Sequence, residues 1–179
     1  NQFGIQLGAK SLNAFTLKNL DLQVEGNIVK PFTYSSNDGV TNYANYNQPL
    51  AHPYGAGFAE FIGSVRYQPL TKLYVSVKGI VARRGDDPLG TYSNGNDIFK
   101  PVSTRPVNEG YGAQGYGLVY TTLYVNPNVA YELRPNLFIE AGAIYQKGHT
   151  ETSGNIIPNS TTVYGGLRMN IARKEYDGY

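Results

Sequence analysis

Cysteine and tryptophan are absent from this chain of 179 residues, methionine occurs once and histidine twice. Without cysteine there is no disulfide, no thiolate zinc site and no cysteine nucleophile. That absence leaves the compartment open, since periplasmic and outer-membrane proteins often lack cysteine as well. A dominant charge is also missing: 15 Lys plus Arg stand against 13 Asp plus Glu, too balanced a field to make nucleic acid the partner. No apolar run approaches the roughly 20 residues a transmembrane helix needs, so a helical membrane protein is excluded. The chain opens at Asn1 without an initiator Met or a basic and apolar leader, which reads as a mature chain or a fragment.

What the chain does have is 21 Gly, 16 Tyr and 17 Asn, a composition that points to β structure with many turns. Helical periodicity is nearly absent; apolar and polar residues alternate in segments of about ten residues. From Leu20 to Ile28, Leu20, Leu22, Val24 and Ile28 share one face, while Asp21, Gln23, Glu25 and Asn27 share the other. The same reading gives strands from Ala59 to Tyr67, Leu73 to Arg84, Leu137 to Tyr145 and Thr161 to Ile171. Gln2 to Ala9 is a weaker strand, and so is a long one from about Tyr116 to Leu133. Pro127 lies inside the latter and predicts a bulge or a break, because it has no N–H for the ladder.

The connections alternate strictly between short and long. Gln68 to Lys72 and Arg134 to Asn136 are short; about Tyr34 to Phe58, Gly85 to Gly115 and Lys147 to Ser160 are long. A weak repeat follows the short turns: Asn19-Leu20-Asp21-Leu22-Gln23-Val24, Lys72-Leu73-Tyr74-Val75-Ser76-Val77 and Asn136-Leu137-Phe138-Ile139-Glu140-Ala141 each start a strand leaving the short-turn side.

A soluble β-sandwich also alternates, but its strands usually run five or six residues with similar turns at both ends. Strands of about nine to twelve residues, an apolar outer face, short turns against long loops, and Tyr67, Tyr131 and Tyr145 near strand ends suit an antiparallel transmembrane β-barrel of the outer membrane. Lipid cannot satisfy a free strand edge, so such a sheet must close. About seven strands are visible, whereas bacterial single-chain barrels have even numbers from 8 upward. The expectation is one segment, 1–179, forming the C-terminal portion of a larger barrel; the alternative is a missed strand between Gly85 and Gly115.

The segment from Asn42 to Phe61 reads NYANYNQPLAHPYGAGFAEF. It resembles the NYxHYNQPLAHPLGANFxEF segment of Bacteroidota outer-membrane barrels known as Wzi-like capsule-assembly proteins and the gliding-motility protein RemB. Further likeness lies in LGAKSLNAFTLKNLDLQVEGNIVKPFTY from Leu7, in Thr104-Arg105-Pro106, in Tyr131 to Phe138 and in Arg168 to Arg173. The resemblance covers nearly the whole chain and corresponds to about the C-terminal third of a family member. Two departures are Asn45, where the family commonly has His, and the extra Lys174 to Tyr179. The resemblance implies a non-enzymatic outer-membrane protein of a Gram-negative cell. Its implied role is surface polysaccharide attachment or assembly, or the gliding and secretion machinery. The implied partners are outer-membrane lipid, lipopolysaccharide, surface polysaccharide and other outer-membrane proteins.

Tyr43, Tyr46, Asn47, Gln48, His52 and Tyr54 crowd one long loop. Aromatic faces stack on sugar C–H surfaces and the polar groups serve hydroxyls, so the loop suits an external contact with a glycan or a partner. The competing reading is an inward-folded rim whose path Pro49 and Pro53 fix. Neither His52 nor His149 has zinc-site spacing, and Asp86, Asp87, Asn94, Asn96 and Asp97 lack the calcium-loop pattern, so no metal and no cofactor is expected.

On the polar face, Asp21, Glu25, Glu60 and Glu140 coexist with Arg66, Lys78, Arg84 and Arg168, which predicts a lumen laced with ion pairs and no single-sign selectivity ring. Glu25 and Glu60 on consecutive strands would be the candidates for a catalytic pair, but nothing supplies a nucleophile and its orienter. The second functional reading is a transport channel through that mixed-charge lumen.

Overall fold

The computed structural model describes residues 2–87, 92–104, 118–150 and 159–170. Seven antiparallel strands form one meandering sheet: β1 (Gly4–Ser11), β2 (Leu20–Val29), β5 (Phe58–Leu70), β6 (Leu73–Asp86), β7 (Leu118–Arg134), β8 (Leu137–Thr150) and β9 (Ser160–Met169), each paired with its neighbours in that order. Two short strands, β3 (Ala44–Asn45) and β4 (Gln48–Pro49), make a separate hairpin inside the loop between β2 and β5. Arg105, Pro106, Tyr116 and the chain from Ile171 onward lie outside the described residues. So do 88–91 and 105–117 of the loop in which an extra strand was the alternative; its described part holds a single 3-10 turn at Val102–Thr104.

Register decides what the sheet does with its apolar residues. Across the ladders, Leu22 faces Val65, Val65 faces Val77 and Val77 faces Pro127, so the strands put their apolar positions on a common face. The same holds for Ile139 with Tyr131 and Leu167. A one-residue slip in any ladder would invert this for a whole strand. That common face is the exposed one. Leu7 is 73% exposed, Phe61 55%, Val81 48%, Val163 78% and Leu167 71%. The strand side chains that are buried, namely Asn27, Val29, Phe58, Glu60, Ala82, Ala130 and Thr150, all sit on the opposite, largely polar face. A soluble sheet does the reverse, covering its oily side and wetting its polar one.

Several strands overrun their sequence-based limits, whereas β9 ends at Met169, short of the expected Ile171. β6 continues to Asp86 and β8 to Thr150, while β1 begins at Gly4 and ends at Ser11. Pro127 causes neither a bulge nor a break. The β6–β7 register passes through the Val77–Pro127 pair unchanged, and the β7–β8 register is the same before and after it. Its missing N–H shows instead as a local gap toward β8, where Asn126 and Pro127 have no ladder partner. The irregularities fall beside the short turns, between Tyr67 and Leu70 and between Glu132 and Arg134, where a bulge helps the chain reverse. The β7–β8 turn is closed by Asn136 at φ 66, a left-handed position that asparagine tolerates.

The gap beside Pro127 is filled from β9. The Tyr164 ring lies across Gly142, where an added Cβ would come within 2.5 Å of the ring and 2.8 Å of the Pro127 carbonyl oxygen. Held there, the Tyr164 hydroxyl accepts from Asn128 Nδ2 at 3.1 Å and donates to Asn126 Oδ1 at 3.3 Å. Asn126 Nδ2 in turn donates to the Tyr124 hydroxyl at 3.0 Å. Gly142→Ala is therefore expected to push Tyr164 off these partners and to destabilise the sheet by about 1–2 kcal/mol. A lowered denaturation midpoint would register it; an unchanged midpoint would mean that the ring has room to move.

Candidate functional site

Among the described residues, the cluster of buried apolar side chains lies at the long-loop end of the sheet. Val29, Ala56, Phe58 and Ile98 form it, with Tyr34, Ala44 and Tyr54 packed against it. Two long connections, 30–57 and 87–104, are thereby folded onto each other. Phe32 N–H donates to the Gly95 carbonyl at 2.8 Å, Val102 N–H to Ser36 O at 2.9 Å and Gly85 N–H to Gly57 O at 2.9 Å.

Asp87 organises the second of these loops. Its Oδ1 accepts from Asn94 N–H at 3.0 Å and Asn96 Nδ2 at 3.1 Å, and its Oδ2 from Ser93 Oγ and Asp97 N–H, each at 3.4 Å. A carboxylate wrapped by N–H and O–H donors is a loop anchor, which accounts for the acidic and amide residues clustered in sequence there. Among the described residues no three His, Cys, Asp or Glu side chains gather as metal ligands.

The loop residues singled out by sequence divide into two groups. Tyr46 and Asn47, with φ of 47° and 59°, are the two central residues of the β3–β4 hairpin, as a turn with both residues left-handed requires. Tyr46 is 94% exposed at that tip, Gln48 follows it exposed, and Tyr43 is half exposed with its ring 5.8 Å from that of Tyr34. His52 and Tyr54 turn inward. The His52 ring stacks on Phe58 at 4.3 Å and the Tyr54 ring meets Phe58 edge-on at 5.6 Å. The inward-folded reading therefore describes His52 and Tyr54, while Tyr43, Tyr46, Asn47 and Gln48 stand exposed.

His52 Nδ1 accepts the Tyr54 backbone N–H at 3.2 Å, which leaves Nε2 to face the Glu60 carboxylate. Nε2 lies 3.0 Å from Glu60 Oε2, but outside hydrogen-bond alignment, so that buried oxygen has an electrostatic neighbour and no hydrogen-bond donor. Burial raises the Tyr54 hydroxyl above the ordinary phenol range; the Glu60 charge adds to this and Arg84 opposes it. Sequence reading left Arg84 among the lumen charges and omitted Tyr120. The structure suspends the Arg84 guanidinium between two rings, 5.4 Å from Tyr54 and 5.8 Å from Tyr120. The signal was faint, because these residues sit on a loop and two separate strands.

Among the described residues, the remaining polar-face charges show one ion pair, and Asp21 stands opposite Arg66 in register. Glu140 pairs with Arg168 Nε at 2.9 Å, and that guanidinium lies 4.4 Å over the Phe138 ring and donates from Nη1 to Asn170 Oδ1. Glu25 is held by amides, Gln6 Nε2 at 2.7 Å and Asn27 Nδ2 at 2.9 Å, not by a cation. Arg66 and Lys78 line a hollow of about 330 Å³ with Asn126, Asn128 and Tyr164. The register sets Glu25 opposite Ile62 and Glu60 opposite Asn27, so the two carboxylates are diagonal neighbours, each with its own partner. Comparison with protein-family models, with curated proteins and with solved structures finds no match to this chain.

Proposed function

We propose that the chain is part of the wall of an outer-membrane β-barrel whose long-loop end contacts surface polysaccharide. The observation that carries the membrane part is the exposed apolar face opposite a sheltered polar one. Its extent supports the reading. Leu73 to Val81 on β6, Leu123 to Tyr131 on β7 and Leu137 to Tyr145 on β8 each give a band of roughly nine residues, the length a tilted transmembrane strand needs. Beyond it, on the same face, stand Arg83, Thr121 and His149 in one row, with Lys147 beside them, a change suited to headgroups and the anionic cores of lipopolysaccharide. The outer edges of β1 and β9, which have no strand partner among the described residues, support a larger closed wall, as hydrocarbon offers such edges no partner. The exposed Tyr46, Asn47 and Gln48 at the loop end support the polysaccharide part, by an associational argument from composition.

Produced with a secretion signal and the rest of its wall, the chain is expected to sediment with outer membranes, to resist alkaline carbonate and to retain polysaccharide from the same cells. Recovery as a soluble periplasmic protein would end the membrane reading. Steady ion conductance in planar bilayers, without polysaccharide retention, would favour transport through the polar face instead.

A further inference from the structure

Between the two packed loops and the end of β6 lies a groove of about 230 Å³, lined by Tyr54, Arg84, Asp86, Asp97, Ile98 and Phe99 among others. That is below the usual size of a drug-like ligand pocket and near the scale of a single sugar ring. Its parts carry complementary chemistry. The Arg84 guanidinium lies against two rings, and among the described residues it has no hydrogen-bond partner, so no described group competes for its in-plane N–H donors. Phe99 is 38% exposed and presents an apolar ring. Asp86 uses Oδ1 for the Asp87 N–H and Asp97 uses Oδ1 for the Phe99 N–H, and the second oxygen of each has no donor among the described residues. One donor fork, two acceptors and one ring face match the vicinal hydroxyls and the C–H face of a pyranose. Two carboxylates against one guanidinium disfavour an acidic sugar.

We propose that this groove is a subsite for one neutral sugar ring of a surface polysaccharide, with Phe99 as the stacking face, Arg84 as donor, and Asp86 and Asp97 as acceptors. The proposal rests on the polysaccharide reading above but places the contact at the joint of the two loops, away from the Tyr46 hairpin tip. The test is calorimetric titration of the full chain in detergent with tetrasaccharides of glucose, mannose and galactose, and with a glucuronic acid tetrasaccharide. At least one neutral oligomer is expected to bind better than the acidic one. Phe99→Ala and Arg84→Lys, which keeps the charge and loses the planar fork, should each weaken it about tenfold, while Val40→Ala, at a residue 90% exposed and outside both candidate contacts, leaves it unchanged. Circular dichroism of each variant must match the parent. Preference for the acidic oligomer overturns the proposal. Loss of binding in Tyr46→Ala alone overturns it too but leaves the polysaccharide reading standing, with the contact at the hairpin. If no oligomer binds, the subsite falls, and polysaccharide retention then decides the broader reading separately.

Discussion

Val77→Arg is expected to cost the chain about 2–4 kcal/mol when it folds into a bilayer, the penalty of an arginine at the lipid face near the midplane. Val77 is the middle residue of the apolar band on β6, flanked in register by Val65 and Pro127. The same substitution on a strand facing water belongs with surface changes, usually within about 0.5 kcal/mol. The two environments therefore predict results that do not overlap. Urea titration of the protein folded into phosphatidylcholine vesicles, read as the folded fraction, measures the cost. The neighbouring Lys78→Ala change, on the polar face, serves as control and should move the midpoint little. Equal, small shifts for both would mean that the apolar face meets something other than hydrocarbon.

Gly95→Ala is expected to be as severe for a different part of the molecule. Gly95 sits at φ +82°, a backbone conformation that costs other residues of order 1–3 kcal/mol. An added Cβ would lie 2.4 Å from the Phe32 ring and 2.6 Å from Phe32 N, the nitrogen whose N–H donates to the Gly95 carbonyl. The ring could tilt, but that backbone nitrogen belongs to the link between the loops, so the change strains and severs the joint together. The loss should total about 3 kcal/mol or more, confined to residues 30–57 and 87–104. Limited proteolysis should cut both loops in the variant while the strands stay protected. Uncut loops would show that the joint does not depend on this contact.

The strands were legible in the sequence because a period of two survives wherever one face is oily, as in Leu20 to Ile28 or Leu73 to Val81. Their extra length beyond Arg84 and Tyr145 was not, since both faces turn polar there and alternation loses its contrast. Pro127 misled because a missing donor can be absorbed on one ladder alone, with Tyr164 closing over the gap. In the loop, composition identified the crowd of aromatic and amide residues but could not sort it. Whether His52 or Tyr46 turns inward depends on Phe58 and on Ile98, which comes from a different loop. The Arg84 groove was hidden for the same reason: its walls come from residues far apart in the chain.

The strands run past the apolar band on one side only. On β6 the ladder continues from Val81 to Asp86, about 17 Å along the strand at about 3.3 Å per residue, and β7 and β8 accompany it. Were the band seated in hydrocarbon as proposed, that stretch would be a stiff pedestal, holding the Arg84 groove level with the Arg83 row at the outer side of the headgroups. Hydrogen-bonded strand does not sag toward the lipid as a free loop of equal length would. On the proposed reading, the height at which the groove would meet a surface polysaccharide is set by how far the sheet outlasts its own oily face.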